Sequence, residues 1–366
     1  MTRWISCITL AAVSAVGLAA LPAHADVTSD RPAAILFFPR IAASGLPIPS
    51  DTVVQITNVS NELQVLHCFY VNATSHCSSS GDFCDEQTPC GAEGGLCQPG
   101  WIETDFFVYL TPRQPLAWRA SEGLADEQIP LDGHIRTGPT GDSNEGTRVP
   151  PIGEVPYEGE LKCIVVDQDG RPVGRNVVKG EATLVREDEI RVGVAKYNAV
   201  GLEGFEGDVD DNRVLVLGGG SNEYAGCPNI LVVNHFFDFA ISPAETADAF
   251  ISELTLVPCT EDLLNQIPGR TTAQFLVFNE FEQRFSTSVP VECYFERQLS
   301  RIDTTNPVRS IFSVFVTGTI AGQTRIRGVQ EGLIGVLHLR HAGADSAYYN
   351  LHTQGDREAP DFITLP

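Results

Sequence analysis

DTVVQITNVSNELQVLHCFYVNA, residues Asp51–Ala73, reads as two strands joined by a turn. Val53–Asn58 (VVQITN) is β-branched and alternates apolar with polar residues, the period of a strand with one buried face. Ser60-Asn61-Glu62 supplies turn chemistry, because short polar side chains bond to nearby backbone. Val65–Val71 (VLHCFYV) then continues as a more fully apolar strand, suited to a core. The same pattern returns at Thr272–Gln298. Phe275–Asn279 (FLVFN) matches VQITN, and ECYF in Val291–Phe295 and its neighbour matches HCFY, with a loop four residues longer.

Other landmarks recur in the same order. Ile35–Pro39 (ILFFP) matches Leu254–Pro258 (LTLVP), and Phe106–Thr111 (FFVYLT) matches Phe312–Thr317 (FSVFVT). Glu158-Gly159 matches Glu331-Gly332, each before a strand, and Ala195–Asn198 (AKYN) matches Ala347–Asn350 (AYYN). Five matches in one order point to an internal duplication. Many short strands separated by Gly, Pro and Asp turns predict an all-β chain. The expected fold is two tandem antiparallel β-sandwich units, Ig-like or jelly-roll-like. Unit 1 spans 26–202 and carries a cysteine-rich insert at 77–97. An acidic loop, strands and a linker helix (Pro243–Leu254) fill 203–253, and unit 2 spans 254–366.

Met1–Ala25 reads as a cleaved secretory signal peptide: Arg3, an apolar stretch over Ile5–Leu21, and the small-x-small site Ala23-His24-Ala25. No other segment reaches the length of a membrane-spanning helix, so no membrane insertion is expected. The expected location is secreted or periplasmic. With the leader gone, 47 acids face 23 bases, a net charge of −24. That balance disfavours nucleic acid and anionic membrane surfaces as partners and leaves glycans or surface proteins.

Nine cysteines remain after Cys7, and an exported chain oxidises most of them. Cys77, Cys84, Cys90 and Cys97 lie in a Gly-, Ser- and Asp-rich loop with no core pattern, so disulfides must order it. The spacing lacks the CxxC pairs of a zinc site. Cys68–Cys163 and Cys259–Cys293 are the expected pairs in the two units. Cys227 is then free and buried, bridged to another molecule, or a replacement for Cys259 as partner of Cys293.

Two features could bind a ligand. Glu203, Glu206, Asp208, Asp210, Asp211 and Asn212 concentrate oxygens in one loop, as Ca²⁺ requires. The weaker run Asp142–Gly146 is a second such loop. Trp118 beside Arg119, with Trp101, could stack on a sugar ring, although such a Trp more often lids a core. His338, His341 and His352 lie close in sequence, but His338 and His341 fall on opposite faces of a strand. There is no G-x-S-x-G elbow, H-E-x-x-H helix, Walker loop or dinucleotide fingerprint.

The leader followed by FFPRI, ITN, HCFY, LTPRQPLAW and LVFNEFEQRF resembles a group of exported β-rich proteins of Gram-negative bacteria. The resemblance implies an exported bacterial protein and transfers no catalytic residue. The expected function is a non-enzymatic structural or binding role at the cell surface or in the periplasm. The alternatives are a calcium-assisted, lectin-like carbohydrate-binding protein and a polysaccharide hydrolase using unrecognised carboxylates.

Overall fold

A computed structural model describes residues 27–45, 49–84, 88–124, 148–187, 192–205, 212–220, 223–241, 249–341 and 346–366. The leader segment lies outside them. The described chain is nearly all β. Its only helices are one α-helical turn at Val314–Thr317 and two 3-10 turns.

The largest sheet has six strands, in the order Val27–Thr28, Val200–Leu202, Ile35–Ala43, Tyr157–Val166, Gln64–Asn72 and Ile102–Leu110. All neighbours are antiparallel. One face packs against a four-stranded sheet of Val192–Asn198, Val178–Glu187, Ser50–Asn58 and Pro115–Arg119. Leu36, Leu66 and Leu161 from the first sheet meet Val54, Ile56 and Trp118 from the second in one core. The strands of the quoted hairpin therefore separate, Ser50–Asn58 into one sheet and Gln64–Asn72 into the other.

The opposite face of the six-stranded sheet is also covered. Ile35, Phe37 and Phe69 pack there with Leu215, Leu217 and Ile363 of a small sheet, and with Val257 and Ile334. Burial on both faces explains why ILFFPRIAA and VLHCFYV read as nearly unbroken apolar runs. The small sheet joins Val214–Leu217, Asp361–Thr364 and Glu261–Asp262, the last pair parallel. Beyond it, a four-stranded sheet (Phe295–Gln298, Phe250–Pro258, Leu333–His341, Ser346–Asn350) faces a five-stranded one. The latter runs Arg284–Glu292, Arg270–Asn279, Ala321–Gly328, Pro228–Phe236 and His352–Asp356. Leu254, Leu256 and Leu337 meet Phe275, Val277 and Ile326 between them.

Five sheets of three or more strands, sharing a middle core drawn from both halves, overturn the expected pair of tandem sandwich units. The segment 203–253 supplies all or part of a strand to three of these sheets, and the C-terminal strand pairs back onto Val214–Leu217. The linker helix expected at Pro243–Leu254 is replaced over its second half by the strand Phe250–Pro258; residues 242–248 lie outside the described set. That strand runs on through Leu254–Pro258, the stretch matched to Ile35–Pro39, and so starts four residues before the match. Phe312–Thr317 is not the expected strand either. Ser313 caps a single helical turn there by accepting from Phe315 N–H, and Gly318 ends it in the left-handed region.

Some of the matched landmarks nonetheless occupy related places. Ile35–Ala43 pairs antiparallel with Tyr157–Val166, as Phe250–Pro258 does with Leu333–His341. Asn58 and Asn279 both end a strand and are both buried. Asn58 Nδ2 donates to the Thr111 carbonyl at 3.0 Å, and Asn279 Nδ2 to the Thr317 carbonyl at 2.9 Å. Each Oδ1 accepts from the backbone of the turn that follows, Ser60 in one case and Phe281 and Gln283 in the other. The AKYN and AYYN segments touch. The Asn350 side chain donates to the Asn198 carbonyl at 2.6 Å and accepts from its N–H at 3.1 Å. Beside them Arg40 forks onto Glu296 (2.8 and 2.5 Å) and donates to the Tyr348 hydroxyl at 2.6 Å.

Replacing Asn58 or Asn279 by alanine strands buried carbonyls and turn amides. Each substitution is expected to cost about 1–3 kcal/mol in urea unfolding. An unchanged midpoint in either variant would mean that the turn finds other partners.

Candidate functional site

The expected ligand residues do not converge. Trp118 is 1% exposed, and its indole N–H donates to the Tyr70 hydroxyl at 2.6 Å. It is a core residue, the commoner place for such a Trp, and not an exposed sugar platform; Leu116 and Ala120, on the same face of its strand, are buried with it. Arg119 is half-buried and lies 4.0 Å from Asp51. Trp101 is half-buried against the middle core, with its indole nitrogen enclosed and without a partner. In the acidic loop, Glu203 lies 4.0 Å from Arg31, and Asn212 accepts from Val214 N–H at 2.6 Å. Glu206, Asp208, Asp210 and Asp211 lie outside the described residues, as does the second acidic run at 142–146. His338 stacks on Tyr348 and reaches Glu253 at 3.4 Å, whereas His352 is exposed on another sheet.

The cysteines are committed to structure. Cys68–Cys163 forms as expected, between residues directly opposite in neighbouring strands. It closes a loop of 95 residues, worth on the order of 4–5 kcal/mol in unfolded-chain entropy. The insert is stapled by Cys77–Cys90 and Cys84–Cys97. The expected Cys259–Cys293 bond is corrected: Cys259 pairs with Cys227, and Cys293 is a free, buried thiol. Cys227 precedes the strand that starts at Pro228, and the middle core brings it to Cys259, a proximity set by sheet packing rather than by spacing. Burial holds the Cys293 thiol far above the usual thiol range, with Glu261 and Glu160 adding to the effect. Four disulfides mark a chain that folds in an oxidising compartment. Among the described residues, no helix is long and apolar enough to cross a membrane.

The best-formed recognition surface is the outer face of the five-stranded sheet. Strand register orders it in rows. One row runs Ser288, Gln274, Arg327, Ile230 and Gln354; the next runs Ser286, Leu276, Arg325, Val232 and His352. The rows span roughly 20 Å, five strands at the usual spacing. A groove of about 720 Å³ follows them, lined by Gln274, Leu276, Ser286, Ser288, Arg325 and Arg327 among others. Both arginines are exposed. Among the described residues Arg327 makes no ion pair, and Arg325 only approaches the Phe278 ring, 6.0 Å from its centroid. Arg270, at the end of this face, is already paired with Glu292. Arg325 and Arg327 are two residues apart on one strand, so their side chains emerge about 7 Å apart on the same side. The sequence carried this signal as T-R-I-R-G, an alternating basic pair in an acidic chain.

A second groove, beside the edge strand Ile102–Leu110, exposes Phe107 and Tyr109 next to Asp105. Searches against protein-family models and against curated proteins return no match to the chain.

Native protein is expected to show no thiol to a water-soluble disulfide reagent and one per chain after unfolding in denaturant. A thiol that reacts in the native state would contradict the burial of Cys293.

Proposed function

We propose that this chain is a non-enzymatic exported protein of the cell surface or periplasm that binds a sparsely charged acidic glycan. The binding surface is the outer face of its five-stranded sheet. The observation that carries the reading is the pair of exposed guanidiniums of Arg325 and Arg327 within a groove. Guanidiniums without protein partners are free to take carboxylates in forked hydrogen bonds. Ser286, Ser288 and Gln274 offer groups for sugar hydroxyls, and Leu276, Ile230 and Val232 offer apolar surface for ring faces.

The whole chain carries a formal charge of −23, which repels a dense polyanion such as nucleic acid. A carboxylate set only every few sugars meets the local arginine pair, because salt screens more distant charge over about 8 Å. Export is supported by the leader and the disulfides. The internal duplication is supported by the matching Asn58 and Asn279 contacts and by the meeting of AKYN with AYYN.

The test is retention of the oxidised protein on uronate-containing and neutral polysaccharides, with and without EDTA. The R325Q/R327Q variant is expected to lose at least tenfold in affinity for the uronate polymer, and added salt is expected to weaken wild-type binding. Retention abolished by EDTA and unaffected by the two substitutions would move the site to the loop at 203–212. It would then support the calcium-assisted lectin instead.

A further inference from the structure

Lys162 is fully buried, on a strand of the six-stranded sheet. Its side chain leaves the face that meets the middle core. Phe37 and Phe69 stand directly opposite it on the two neighbouring strands. The ammonium group lies 5.3 Å from the Phe37 ring centroid. Two carboxylates close the pocket. Glu160 Oε1 is 3.0 Å from Lys162 Nζ, and Glu261 Oε2 accepts a short hydrogen bond from the same nitrogen. All three side chains are 0–1% exposed. Among the described residues the remaining oxygens, Glu160 Oε2 and Glu261 Oε1, have no hydrogen-bond partner.

As separate ions, two carboxylates and one ammonium are an expensive group to bury. Burial, with Glu261 adjacent and despite Lys162, pushes the Glu160 carboxyl well above the usual carboxylate range, which favours its protonated form. Burial alone would lower the Lys162 ammonium, but the two carboxylates outweigh it.

We infer that Lys162 and Glu261 condense to an intramolecular isopeptide bond, with Glu160 as the proton shuttle. The ammonium first passes a proton across the hydrogen bond to Glu261, which leaves an amine facing a carboxylic acid. Nζ attacks Cδ of Glu261. As the C–N bond forms, Glu160 takes a proton from Nζ on Oε1 and gives its own proton from Oε2 to the departing Glu261 hydroxyl. That hydroxyl leaves as water, and Glu160 ends as it began, protonated. The balance is one amine and one carboxylic acid converted to one amide and one water, with no oxidant or cofactor. Holding the two groups in contact replaces an encounter in solution, an advantage that reaches effective molarities of 10⁵–10⁸ M in well-oriented systems. The product replaces an ion pair with a neutral amide in the apolar pocket. Cys293, the thiol beside these carboxylates, stays protonated and does not compete as nucleophile.

The bond would join strand Tyr157–Val166 to strand Glu261–Asp262, 99 residues away along the chain. It would tie the six-stranded sheet to the small sheet by covalent linkage.

The experiment is intact-mass spectrometry of the folded, oxidised chain. The expected mass is the sequence less the hydrogens lost to its four disulfides, and less one further water. Peptide mapping after reduction should place that loss in a branched peptide joining Lys162 to Glu261. Glu160→Gln, checked for native circular dichroism, is expected to keep the water and yield two separate peptides. A folded wild-type protein at the full disulfide-corrected mass would overturn the inference. A Glu160→Gln variant that still loses one water at the same linkage would overturn the shuttle role of Glu160.

Discussion

The six-stranded sheet is buried on both faces, and the rest of the molecule is arranged to satisfy that condition. Its central strands, Ile35–Ala43, Tyr157–Val166 and Gln64–Asn72, are almost wholly enclosed. Such a strand cannot use the alternation of a half-exposed sheet and needs a packed layer on each side. The four-stranded sheet of Ser50–Asn58 provides one layer. The other is assembled from segments far apart in the chain, including Val214–Leu217, Glu261–Asp262 and the C-terminal Asp361–Thr364. The two halves of the chain are joined through this layer. Arg40 and Glu296 reinforce the same junction, as does the contact of Asn198 with Asn350.

The constraint also explains where polar chemistry is confined. Lys162, Glu160 and Glu261 sit in the middle core because strand alternation sends positions 160 and 162 to that face. Once enclosed, they must satisfy one another. On the outermost sheet surface Arg325 and Arg327 are exposed and, among the described residues, make no ion pair. The chain thus has one charged group enclosed between two layers and another exposed on an outer face. Their roles follow from which face of which sheet each strand presents.

Strand content, disulfide dependence and several strand positions were legible in the sequence. VVQITN and VLHCFYV fall within observed strands, and the unbroken apolar character of the second correctly signalled a core strand. The cysteine-rich insert read correctly as stapled, because a Gly- and Ser-rich loop has nothing else to order it. Trp118 was legible as either a core residue or a sugar platform, and the packed sheet above it decided for the core, because burial depends on the layer that a strand face meets. The arginine pair was legible as a pattern, yet its meaning depended on the flanking strands that place Gln274, Leu276, Ser286 and Ser288 around it.

Local properties were determined by the sequence alone: which segments extend, where turns fall, and that cysteines rather than core must order the insert. They depend on alternation, turn chemistry and composition over a few residues. Tertiary structure decided how many sheets form, that Cys227 rather than Cys293 meets Cys259, and that Lys162 meets Glu261. These pairings depend on which faces are buried against which, and that is a choice among many arrangements of similar strands. Side-chain alternation specifies a face for each residue but does not specify the layer it will meet.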